Sequence, residues 1–189
     1  MKTKREIPES WQKVWRKDMQ FFYDYLPTKY MANKREWQIR ELIWHFKDGD
    51  NEKVTSKVAT LIAKQIRKQY GDKANQMLFI CVPASSEEKN RQRYAHFCEE
   101  VSALSGIRNG YAAVKVEGGR LAIHEAKDGK HIKNTQVITF DADALKGQKV
   151  VIFDDIITNG HTYARFAVAL EAQGAEVQSG YFLGRTLMR

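Results

Sequence analysis

Two adjacent carboxylates and a short hydroxyl-bearing turn carry the clearest chemistry in the sequence. The run VVIFDDIITNGHT, Val150 to Thr162, consists of four apolar residues, the pair Asp154 and Asp155, two further apolar residues, and the turn Thr158, Asn159, Gly160, His161 and Thr162. An alanine-rich amphipathic segment follows, so the pattern reads as a buried strand passing through a tight loop into a helix. The first N–H groups of such a helix have no partner within it and, with the helix dipole, favour a phosphate. Asp154 and Asp155 would repel that phosphate and instead suit ribose hydroxyls or a magnesium ion beside it. Phosphate, diol and metal together describe a phosphorylated sugar.

The elements around this run must bring further groups to it. Met77 to Val82 is a short, continuous apolar stretch of the kind covered on both faces of a sheet. It leads through Pro83, Ala84, Ser85, Ser86 and Glu87 into a helical pattern from about Asn90 to Leu104, a second strand, loop and helix junction. That loop suits a second anion site or an ordinary helix cap made by Ser85 or Ser86. Arg93, just inside the helix, is placed to reach such an anion or to lie on a solvated face.

Upstream, Arg35 to Phe46 predicts a helix with Trp37, Ile39, Leu42, Ile43 and Phe46 facing inward, and Glu52 to Tyr70 a second one stopped by Gly71. Residues 1–30 mix basic and aromatic types, and Trp11, Val14, Trp15, Met19 and Phe22 fall on one helix face before Pro27 breaks the pattern. An amphipathic helical extension packed on the body or on a partner is favoured there over a nucleic-acid stacking surface. Tyr111 to Val116 and Leu121 to Ile123 read as a hairpin around residues 117–120, followed by a long polar, basic loop and a strand from Gln136 to Phe140. Ala164 to Ala172 gives the last helix and Val177 to Leu183 the last strand. Strands alternating with helices predict an α/β fold, doubly wound on a mostly parallel sheet, spanning residues 31–189 behind the extension.

Composition narrows the function classes. With 189 residues, 43% hydrophobic and 29% charged, the chain suits one soluble domain. No apolar run approaches the roughly 20 residues of a membrane span, and the first residues lack the apolar core of a secretory signal, so a cytoplasmic location is expected. Cys81 and Cys98 offer neither a disulfide framework nor a four-ligand zinc site. The net charge of +8 suits nucleic acid or a phosphate-rich small substrate equally.

Val150 to Thr162 resembles, over its whole length, the 5-phosphoribosyl-1-pyrophosphate (PRPP) loop of type I phosphoribosyltransferases, with Asn159 in place of the second threonine of that pattern. The resemblance implies a transferase that binds PRPP and Mg2+ and passes the phosphoribosyl group to a nitrogenous base, releasing diphosphate. It implies that Thr158, Asn159, Gly160, His161 and Thr162 hold the 5-phosphate. Asp154 and Asp155 become the catalytic and metal-binding pair, holding the ribose hydroxyls directly or through magnesium. Pro83, Ala84, Ser85, Ser86 and Glu87 would attend the diphosphate, with Lys127, Lys130, His131 and Lys133 closing over it from a small hood at about residues 117–135. Trp37 to Asp50 further resembles the segment before the core of ComF-type competence proteins, here without their zinc module. Two alternatives follow: a non-catalytic PRPP- or nucleotide-binding regulator, and a nucleic-acid uptake accessory protein. The acceptor is not legible, a homodimer is compatible with the sequence, and no membrane partner is expected.

Overall fold

The computed structural model describes residues 7–117 and 137–187. The site-bearing core is a five-stranded parallel sheet. Its strands, in spatial order, are β1 (Asp18–Tyr25), β7 (Glu176–Thr186), β6 (Lys149–Ile157), β2 (Met77–Cys81) and β3 (Arg108–Asn109). Strand β2 is buried throughout and β6 over most of its length, which is why β2 and most of β6 read as uninterrupted apolar runs.

Helices cover both faces. On one side, α2 (Lys34–Asp48), α3 (Glu52–Tyr70) and α4 (Glu87–Ser105) bury Ile43, Phe46, Val58, Ile62, Phe97 and Val101 against Phe79, Val151 and Phe153 of the sheet. On the other, α1 (Glu9–Trp15), the short α5 (Ala142–Leu145) and α6 (His161–Ala172) bury Val14, Leu145, Tyr163, Phe166 and Leu170 against Leu78, Ile80, Val150 and Ile152. Sequence explains where the helices begin. Asn33 and Glu36 form a reciprocal capping box at α2, and Asn51 caps α3 through the Val54 N–H.

The topology fixes the place of the site. From β2 the chain crosses through α4 to β3 on one side of the sheet, and from β6 it crosses through α6 to β7 on the other. Strands β2 and β6 are neighbours, so the winding direction reverses between them and their carboxyl ends open a crevice. A separate two-stranded antiparallel sheet, β4 (Val114–Glu117) with β5 (Val137–Phe140), packs through Val114, Ile138 and Phe140 on the α6 side.

Three expectations need correction. The amino-terminal helix stops at Trp15, and Asp18–Tyr25 is an edge strand parallel to β7, not the rest of a helix through Phe22. Aromatic residues suit a half-buried pleated surface, and pairing with β7 decides the conformation against the local helical spacing. In α2, Trp37 is 46% exposed, whereas Arg40 is buried and donates to the carbonyl oxygens of Leu26, Pro27 and Tyr30 at 2.7, 2.7 and 2.8 Å. Tyr111–Ala113 forms a 3-10 turn ahead of β4 instead of belonging to the strand. The hairpin partner Leu121 to Ile123 lies outside the described residues.

Candidate active site

Strand β6 delivers both carboxylates to the crevice, but their surroundings differ. Asp155 is 7% exposed, and its Oδ2 accepts from Arg93 Nη1 of α4 at 2.9 Å. Its Oδ1 accepts the Ile156 N–H at 2.7 Å, and Lys47 Nζ stands 4.0 Å from Oδ2. Asp154 accepts the Asp155 N–H through Oδ1 at 2.8 Å. Burial, followed by the repulsion of the Asp155 carboxylate, pushes the Asp154 carboxyl well above the ordinary carboxylate range. Asp155 is thus charge-paired, while Asp154 holds a carboxyl on which negative charge is costly until a cation or hydrogen-bond donors arrive.

Arg93 ties three elements together. Besides Asp155 on β6, it donates from Nε to the Lys47 carbonyl of α2 at 2.6 Å. The close approach of α2 to α4 depends on Gly49, which ends α2 at φ +66°, in the left-handed region that favours glycine. A Cβ there would stand 2.9 Å from the Gln92 carbonyl oxygen. Expected either at an anion or on a solvated face, Arg93 does neither and is instead the buried counter-ion of Asp155.

The turn after β6 has the anticipated shape. Gly160 adopts φ +74° at the amino terminus of α6, and Asn159 Oδ1 accepts the His161 N–H at 3.1 Å. Thr158 and Thr186 hydroxyls meet at 2.7 Å. Thr158, Asn159, His161 and Thr162 are exposed, and Gly160 is buried. The N–H groups of Thr162 and Tyr163 lie in the first turn of α6, where no helical carbonyl precedes them.

The loop after β2 flanks this turn across the sheet, since the Val82 N–H donates to the Phe153 carbonyl at 2.8 Å. Ala84 donates its N–H to Asn90 Oδ1 at 3.0 Å, and Ser86 caps α4 by accepting from Lys89 N at 3.3 Å. Of the expected diphosphate group, Pro83 to Ser86 form the loop and Glu87 opens the first turn of α4, with Ser85 and Glu87 exposed. The Ser86 oxygen is already used as a helix cap. Cys81 and Cys98 lie buried with sulfurs 3.5 Å apart. Among the described residues no cluster of three His, Cys, Asp or Glu side chains could hold a metal by itself. Lys127, Lys130, His131 and Lys133 lie outside the described residues.

A model of the phosphoribosyl transferase domain matches residues 49–185, from the glycine that ends α2 to the penultimate residue of β7. The chain belongs to that family. This phosphoribosyl transferase domain is 29% identical over 121 residues to the orotate phosphoribosyltransferase of a Nitratiruptor species. It is 26% identical over 121 residues to the orotate phosphoribosyltransferase of Helicobacter pylori. Each match takes in 64% of this chain and 48% of the relative, so the chain spans about half the length of the curated relatives it matches. Among solved structures, the purine phosphoribosyltransferase from Pyrococcus horikoshii Ot3 is similar at 15% identity and a TM-score of 0.37, over 89% of this chain and 88% of that one. No described helix is long and apolar enough to cross a membrane.

Two groups at the acidic pair escape a sequence reading: Lys47, half exposed beside Asp155, and Arg93 in its paired role. For Arg93 a signal existed. It lies on the same stripe of α4 as Asn90, Tyr94, Phe97 and Val101, all buried, so its spacing placed it inward although its charge suggested solvent.

Proposed function

We propose that this phosphoribosyl transferase domain binds PRPP with Mg2+ and transfers the phosphoribosyl group to a nitrogenous base, releasing diphosphate. The observation that carries the proposal is the junction at the winding reversal: β6 ends at Asp154 and Asp155 and turns through the left-handed Gly160 into the amino terminus of α6. In this assignment the 5-phosphate takes the N–H groups at the start of α6 together with the side chains of Thr158 and Thr162. Asn159 and His161 shape the turn. Asp154 faces the ribose hydroxyls, and its costly negative charge is relieved when they donate to it. Asp155, held by Arg93, fixes the position of its neighbour. The loop Pro83 to Glu87 lies where the diphosphate would leave, and Lys47 supplies a nearby positive charge.

A magnesium ion fits this donor set as a group carried in with the substrate. Mg2+ is commonly bound through one or two carboxylates plus substrate phosphates, and the described residues offer Asp154 and the paired Asp155 without a third carboxylate. When bound, the ion would neutralise charge developing on the leaving diphosphate. The protein's own share is positioning and electrostatic preorganisation as the sugar carbon becomes cation-like.

Orotate is the first acceptor to test, because both relatives matched over 121 residues bear its name. The likeness of Trp37 to Asp50 to the ComF-type segment supports a place near that branch, and in the molecule this segment carries the Gly49 turn and the Lys47 carbonyl that Arg93 grips. Diphosphate release from PRPP and Mg2+ across orotate and a panel of purine and pyrimidine bases tests the assignment. Turnover with one base and not others identifies the acceptor. Binding of PRPP without release for any base would make the chain a ligand-binding regulator instead.

A further inference from the structure

Residues 1–48 lie outside the segment matched by the family model, yet α1 is fastened against the turn assigned above to the 5-phosphate. Val14 is fully buried in the same apolar cluster as Ile157, Tyr163 and Phe166. Lys17, just past the helix, pairs with Glu171 near the far end of α6 and donates to the Val177 carbonyl at 2.6 Å. At the other end of α6, Trp15 donates its indole N–H to the Gly160 carbonyl at 3.3 Å. The ring of His161 lies 5.2 Å from that of Trp11 and 6.1 Å from that of Trp15, nearly parallel to the latter. A Cβ on Gly160 would stand 2.8 Å from Trp15 Nε1, so the indole fits against this glycine and not against a larger residue.

From this arrangement we propose that Trp15, supported by Trp11, is a positioning residue for the phosphate turn, which makes the amino-terminal extension part of the active site. The inference rests on the assignment of Thr158 to Thr162 to the 5-phosphate. A trans peptide holds its C=O and N–H in opposite directions. The Gly160 carbonyl accepts the Ala164 N–H at 2.9 Å as the first bond of α6, and Trp15, as its second donor, helps hold the direction of the His161 N–H, which Asn159 receives from the other side. The two indoles lie against the ring of the exposed His161, so its side chain is kept aside from the mouth of the turn and the next amides, of Thr162 and Tyr163, keep one orientation. Arranging the donors before the phosphate arrives lowers the cost of binding it. The effect belongs to substrate capture and not to the bond-breaking step, because the hydrogen bond and ring contacts of Trp11 and Trp15 run to the phosphate turn, to Gly160 and His161, and not to the acidic pair.

The test compares wild type with Trp15→Phe, which keeps a ring and deletes the N–H, by calorimetric titration with ribose 5-phosphate and by steady-state kinetics in PRPP. Loss of one such hydrogen bond predicts ribose 5-phosphate binding and the PRPP KM both weakened about fivefold, with kcat within about twofold of wild type. In a Trp37→Phe, Trp44→Phe background, where Trp11 and Trp15 are the two tryptophans left of four, ribose 5-phosphate should change the emission. Trp11→Leu, at a half-buried ring, gives the same KM shift in smaller measure and serves if Trp15→Phe does not fold. A purely structural role would lower the melting temperature and the active fraction without moving KM. If wild type binds ribose 5-phosphate and both variants bind it equally well, this inference falls alone. If wild type binds neither ribose 5-phosphate nor PRPP, the phosphate assignment falls with it.

Discussion

Replacing Arg93 with methionine should cost more stability than any surface charge deletion in this protein. The Arg93 and Asp155 side chains are each only 10% exposed, so solvent screens their interaction weakly. With charge centres about 4 Å apart, the gross attraction is about 4 kcal/mol at an effective dielectric constant of about 20. Removing one partner leaves the other charge buried and uncompensated, and such losses are about 3–5 kcal/mol. The Lys47 carbonyl would also lose its donor at 2.6 Å. Arg93→Met is therefore expected to lower the unfolding free energy by about 4 kcal/mol, a large part of the roughly 5–15 kcal/mol that holds a typical domain together. Asp155→Asn should cost about 3 kcal/mol, and the double variant less than the sum, with a coupling of about 2 kcal/mol. Urea unfolding followed by circular dichroism, on all four proteins, measures each quantity. Single losses under about 1 kcal/mol that simply add in the double variant would refute the picture of a buried, mutually dependent pair.

Further outcomes follow from the same geometry. Gly160→Ala is expected to weaken PRPP binding at least tenfold by calorimetry while most of the fold persists, because the residue sits at φ +74° with its Cβ direction closed off by the Trp15 indole. Asp154→Asn is expected to stabilise the ligand-free protein at pH 7. Burial and then Asp155 raise the Asp154 carboxyl, so its contribution is fully present below the ordinary carboxylate value of about 4 and is lost as pH rises through the raised one. The gain in melting temperature should accordingly shrink as pH falls from 7 toward 4, and a gain independent of pH would contradict the assigned cause.

Much of the molecule can be read from local pattern, and the exceptions share a cause. Strands β2 and β6 announce themselves because strands buried on both faces are continuous apolar runs, and α3 emerges with both ends as the spacing and Gly71 imply. The turn after β6 is legible because a helix start, a glycine and short hydroxyl side chains sit together in sequence. Strand β1 is not, since Met19 and Phe22 fit a helix face locally and only the pairing of Phe21 with Phe182, far along the chain, makes them a strand. Arg93 and Asp155 are 62 residues apart and Trp15 and Gly160 are 145 apart. Charge and aromaticity say what such residues can do, but the fold alone chooses the partner.

Isothermal titration of the wild type and of Asp154→Asn with PRPP, in the presence and absence of Mg2+, measures whether the acidic pair of β6 receives the sugar phosphate and its metal. Binding to the wild type should depend on magnesium and be weakened at least tenfold in Asp154→Asn, although that variant is the more stable of the two at pH 7. Wild-type protein that binds no PRPP with magnesium present, or an Asp154→Asn variant that binds it as tightly as wild type, would contradict the assignment of this site.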